Sequence, residues 1–146
     1  MTPRLKRLLA SNAPPATVLI RLMVGGVFLS EGIQKFLFPA TRGTGRFTTI
    51  GLPNPEFLGP FVGTFETLCG LAILLGLLTR LAVLPTLTIM AVAIASTKIP
   101  ILLNQGFWEM AHAMRTDYAM LLGSLFLLIV GAGPWSLDRI IQSRIR

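Results

Sequence analysis

The chain has 146 residues, 53% of them hydrophobic and only 13% charged, with a formal net charge of +7. A soluble domain carries about 25% charged residues, so this composition excludes an ordinary soluble domain and leaves room for one compact unit. A single cysteine, Cys69, and a single histidine, His112, exclude an intrachain disulfide, a CxxC redox pair and a haem held by two histidines of this chain.

Four apolar segments follow in chain order, at about residues 17–38, 58–78, 81–97 and 117–132. A membrane-spanning helix needs about 20 mostly apolar residues, so each segment is a candidate span. The first is retained rather than cleaved as a signal, because Arg21 and Glu31 interrupt it and no A-x-A site follows. Thr79 and Arg80 alone reverse the chain between the second and third spans, whereas residues 39–56 and 98–116 read as longer loops. The expected organisation is a basic cytoplasmic segment at 1–16, a transmembrane domain at 17–135 and a basic amphipathic tail at 136–146.

The positive charge is not spread as nucleic-acid binding requires. Arg4, Lys6, Arg7, Arg80, Arg139, Arg144 and Arg146 fall at the end that carries both termini, against Arg42, Arg46, Lys98 and Arg115 at the other. The positive-inside rule then predicts cytoplasmic termini, and the basic ends suit contact with anionic lipid rather than nucleic acid. In the tail, Ser136 is placed to cap a helix, and Leu137, Ile140, Ile141 and Ile145 alternate with arginines as in an interfacial amphipathic helix, with Trp135 as its anchor. The start, "RLKRLLAS", repeats that pattern more weakly.

Charge inside the spans is costly, roughly 2.5–3.5 kcal/mol on insertion scales, so each instance needs a reason. Arg21, Gly25, Phe28, Gly32 and Lys35 share one face of the first span, and Gly59, Gly63, Glu66 and Gly70 share one face of the second. Small residues at such spacing let transmembrane helices approach closely, so the two faces are expected to pack together. Glu66 falls roughly 3 Å from the middle of its span at the ~1.5 Å rise of a helix, and its expected partner is Lys35 or Arg21. Glu31 stands one turn before Lys35, in the favourable order for an i, i+4 ion pair. Asp117 opens the fourth span, where the helix dipole alone favours a carboxylate. Arg115 lies just outside it, with His112 and Trp108 in the adjoining loop. The titratable groups therefore gather in the half of the bundle opposite the termini. Snorkelling accounts equally well for Lys35, Lys98 and Arg115, and Cys69 reads as a small buried hydrophobe.

Taken together, the first-span stripe from Arg21 to Lys35, "GLP" at 51–53, Glu66 with Gly70, "LLGLLTRLA" at 74–82 and "GAGPWSLD" at 131–138 resemble the DoxX family of small four-helix bacterial membrane proteins. The resemblance implies an all-α, four-span bundle and an association with membrane redox systems. Some members are subunits of thiosulfate:quinone oxidoreductases, and others partner thiol- and superoxide-handling proteins. Residues 104–115 have no counterpart in the family pattern, so substrate is left open.

These readings converge on a quinone- or lipid-interacting subunit of a redox complex in the bacterial inner membrane. Glu66 would exchange protons there, tuned by Glu31 and Lys35. Arg21 and Asp117 would add ligand contacts, and Trp108, His112 and Arg115 would line the mouth. No redox centre is encoded, so no covalent cofactor is expected, and electrons must come from a redox partner protein. Two alternatives remain open: a small transporter, which with four spans requires a homo-oligomer, and a structural module that anchors a partner.

Overall fold

The computed structural model describes Ser11 and residues 13–144. The basic residues Arg4, Lys6 and Arg7, and the final Ile145 and Arg146, lie outside them. Six helices follow in order: α1 Thr17–Leu37, α2 Thr44–Thr49, α3 Pro55–Leu75, α4 Thr79–Gln105, α5 Phe107–Val130 and α6 Leu137–Arg144. Four of these, α1, α3, α4 and α5, are long and apolar enough to cross a membrane. The described residues include no strand.

Local sequence sets the breaks. Pro55 opens α3, where its missing N–H costs nothing. Gly76, at φ +66°, ends that helix in the left-handed conformation that glycine adopts without strain. Leu78, at φ +45°, completes the reversal into α4. The tail forms α6, and the Ser136 hydroxyl accepts from the Arg139 N–H at 3.3 Å, as a capping residue does.

Two connections differ from expectation. Residues 98–116 are helical except at Gly106, whose φ of +92° makes the whole α4–α5 turn. Pro100 removes one ladder donor but does not stop α4, and the Asn104 amide donates to the Pro100 carbonyl at 2.8 Å, satisfying an acceptor of the last turn. Residues 39–56 are not a plain loop either, because α2 forms in their middle.

The bundle is built from two close pairs, α1 on α3 and α4 on α5, which meet more sparsely through α3–α4 and α1–α5. Glycine sets the α1–α3 distance. A Cβ added at Gly32 would stand 2.5 Å from the Thr67 backbone nitrogen, and one at Gly25 would stand 2.8 Å from the Gly70 carbonyl oxygen. Backbone cannot yield as a side chain does, so these sites exclude any larger residue. Gly32→Ala is expected to destabilise the protein by about 1–3 kcal/mol through overpacking. Gly26→Ala, where a Cβ meets nothing within 4 Å, is expected to be neutral or slightly stabilising. Thermal unfolding in detergent checks the contrast.

The tightest core, around Val24, Ile73, Val83 and Leu127, lies in the half of the bundle nearest the termini. Cys69 is buried at its edge. Facing outward are large apolar side chains such as Leu103 and Ile129, 78% and 73% exposed, which need a lipid surround.

Candidate functional site

The half of the bundle opposite the termini is not filled. A cavity of about 530 Å³ lies between the four long helices and under α2. Its inner depth is apolar, with Val27, Phe28, Met90 and Met120. Its outer part carries Glu31, Lys35, Glu66, Lys98 and Asp117, and the roof brings in Arg42, Arg46, Phe47 and Ile50. Cavities of about 300–1,000 Å³ with a few polar groups in an apolar lining are typical of small-molecule sites.

Two ion pairs stand in its walls. The Lys35 ammonium lies 2.6 Å from Glu66 Oε2, with side chains only 8% and 6% exposed. The Lys98 ammonium lies 3.0 Å from Asp117 Oδ2, with side chains 15% and 23% exposed. The first joins α1 to α3 and the second joins α4 to α5, so each pair staples one of the two close helix pairs at the level of the cavity.

This arrangement revises the local readings of charge. Lys35 turns to Glu66 rather than to Glu31, its neighbour one turn back, and it does not snorkel free. The physical reason is depth: Glu66 cannot reach water from the middle of α3, and Lys35 is the cation whose stem reaches it across the glycine face. Glu31 instead lines the cavity one turn deeper than Lys35. Asp117 is ten residues inside α5, because that helix begins at Phe107, so the helix dipole does not account for it and Lys98 does.

The remaining candidates lie elsewhere. Trp108 is 82% exposed on the first turn of α5, edge-on to Phe107. His112 and Arg115 are exposed on the same helix, and the Arg115 guanidinium donates to the His112 carbonyl at 2.8 Å. None of the three lines the cavity. Of the glycines, Gly25, Gly32, Gly59, Gly63 and Gly70 are all buried at helix contacts.

Arg21 sits at the opposite end, near the termini, and is 3% exposed. Its guanidinium donates to the carbonyls of Ile73, Leu74, Ala132 and Trp135. Asp138 works beside it, accepting from the Leu78 N–H at 2.6 Å and the Thr79 N–H at 3.1 Å. Burial pushes the Asp138 carboxyl up, and the two backbone donors and the Arg21 charge pull it part of the way back. Sequence reasoning passed over both Asp138 and the roof arginines Arg42 and Arg46. The available signal for the arginines was their i, i+4 spacing just before Phe47, an apolar residue in a polar connection.

Comparison with known proteins agrees with this architecture. The DoxX family model matches residues 16–99. The chain is 51% identical to the uncharacterized membrane protein Rv3486 of Mycobacterium tuberculosis, over 97% of this chain and 91% of that protein. No solved structure matches it significantly. With more than half its length matched by the family model and a full-length relative at that identity, the chain is an integral membrane protein of the DoxX family.

Proposed function

We propose that this chain is the membrane subunit of a redox complex in the bacterial inner membrane, and that its cavity holds a quinone or a related redox-active lipid. The observation that carries the reading is the Lys35–Glu66 pair, set in the wall of a cavity whose depth is apolar. A buried charge pair gives little net stability against a well-packed apolar one, and ionisable groups inside a membrane mark ligand or proton pathways.

The lining fits such a molecule. The apolar depth around Phe28, Met90 and Met120 suits a ring or isoprenoid surface, and Lys35 and Glu66 offer a donor and an acceptor at one place. When bound, a quinone supplies two-electron, two-proton chemistry. The chain's part is to orient the head through the Lys35 ammonium, to pass protons through the Glu66 carboxylate and to keep water from the apolar end. Electrons come from a partner protein. The cationic bias of Arg80, Arg139 and Arg144 supports cytoplasmic termini, with the cavity then in the outer half of the membrane.

Purification in mild detergent followed by mass spectrometry of the extracted lipid tests this, run beside Glu66→Gln. A quinone at about one per chain in the native protein, lost in the variant, is the expected result. Bulk membrane lipid in both samples overturns the bound-quinone reading. Glu66-dependent solute flux in vesicles would put the oligomeric transporter in its place.

A further inference from the structure

Arg42 and Arg46 have no part in the quinone reading, yet both line the cavity and both are exposed at its rim. They stand four residues apart around the start of α2 and are not free on a loose loop. Phe47, next to Arg46, is 8% exposed, and its backbone is tied on both sides, donating to Gly43 and accepting from Leu52. The other two cations of the lining, Lys35 and Lys98, are each neutralised by a carboxylate. Among the described residues neither roof arginine has a carboxylate within ion-pair distance. Glu31 is the one cavity carboxylate outside the ion pairs, and it stands deeper than Lys35. The rim is therefore cationic over a wall that carries two ion pairs and, deeper in, the Glu31 carboxylate.

We infer that the cavity takes an anionic amphiphile, its phosphate or carboxylate head held by Arg42 and Arg46 and its apolar chain extending inward toward Phe28 and Met90. This rests on the cavity being a ligand site, though not on that ligand being redox-active. Two guanidiniums present planar, weakly hydrated forks that match an oxyanion, which a neutral quinone head does not need. From Lys98 to Thr88 the lining runs ten residues of α4, about 15 Å at the ~1.5 Å rise of a helix. That depth demands a chain, so a free inorganic anion would leave most of the cavity unused.

Equilibrium binding in a neutral detergent tests the inference with four probes: oleoyl lysophosphatidate, its uncharged counterpart monoolein, inorganic phosphate and decylubiquinone. Lysophosphatidate is expected to bind about tenfold or more tightly than monoolein, as two charge-assisted contacts imply. The gap should close in Arg42→Gln/Arg46→Gln and largely persist in Arg42→Lys/Arg46→Lys. Both residues are exposed, so neither double variant threatens folding. Filling the cavity with Ala93→Trp should abolish lysophosphatidate binding. Equal affinity for the charged and neutral lipids, or a gap that survives in the glutamine variant, overturns the inference. So does competition by inorganic phosphate, which makes the rim a simple anion site, or binding that survives Ala93→Trp, which places the lipid on the outer surface. Decylubiquinone separates the two readings: its binding, unaltered by the roof substitutions, leaves the quinone site standing if lysophosphatidate fails, and its failure leaves this inference standing if lysophosphatidate binds.

Discussion

Lys35→Met lowers stability by about 3–5 kcal/mol, the cost of leaving one member of a buried ion pair without its partner. The pair spans α1 and α3 at 2.6 Å with both side chains nearly inaccessible. Glu66 then faces the glycine-lined seam and the apolar cavity with no cation in reach of its carboxylate, because Lys98 is held by Asp117 on the far wall. Removing both charges behaves differently. Lys35→Met with Glu66→Met leaves two flexible apolar side chains of adequate volume, and such replacements are often neutral or stabilising. The double variant is therefore expected within about 1 kcal/mol of the parent, giving a coupling of several kcal/mol in the double-mutant cycle. Reversible unfolding in mixed micelles measures all four proteins. A single-variant loss below about 1 kcal/mol would mean that the pair is not coupled as the geometry requires. The double variant has a second use. If it is stable but has lost its bound lipid, the two charges serve the ligand. If it is stable and keeps its lipid, their role is to hold register between α1 and α3.

The helix contacts and the charged half of the bundle were legible in the sequence because each follows from a periodic local rule. Gly25, Gly32, Gly63 and Gly70 recur at helical spacing, and close approach demands small residues there. Glu66 announced itself by depth alone, since a short carboxylate in mid-span has no escape to water. What the rules misread was the stretch from Lys98 to Thr116. Pro100 and a mixed aromatic and amide composition resemble a loop, but Pro100 costs α4 one ladder donor without breaking it, and the helices continue to a single glycine. That error placed Asp117 at a helix start, where the structure has it in a helix interior, and drew Trp108, His112 and Arg115 toward a mouth they do not line. The roof arginines escaped for another reason. Their place at the cavity depends on α2 folding back over the bundle, and a six-residue helix has too few positions to show a periodic face.

Arg21 was the hardest residue to read, because its acceptors are backbone carbonyls, which carry no sequence signature. Arg21→Leu is expected to cost more than about 3 kcal/mol, since hydrogen bonds from a charged donor contribute about 1.5–3 kcal/mol each. Ile73 and Leu74 lie in the last turn of α3, where the Ile73 carbonyl accepts from the Gly76 N–H at 3.1 Å, and the guanidinium adds a charged donor to each of the two carbonyls. Ala132 and Trp135 belong to the segment that leads into α6, so the same side chain holds the C-terminal helix against the α3–α4 turn. Asp138 completes that lock from α6 by capping the first N–H groups of α4, and its own N–H donates to the Gly76 carbonyl at 2.9 Å. Arg21→Lys recovers only part of the loss, because a single ammonium cannot span four acceptors as a planar fork does. Limited proteolysis adds a readout specific to this arrangement: cleavage at residues 131–136 should appear in Arg21→Leu before the spans themselves give way. The cavity lies at the other end of the bundle, so bound lipid should be retained wherever the variant stays folded. Loss of lipid at unchanged stability would reverse the assignment and place Arg21 among the ligand-binding groups.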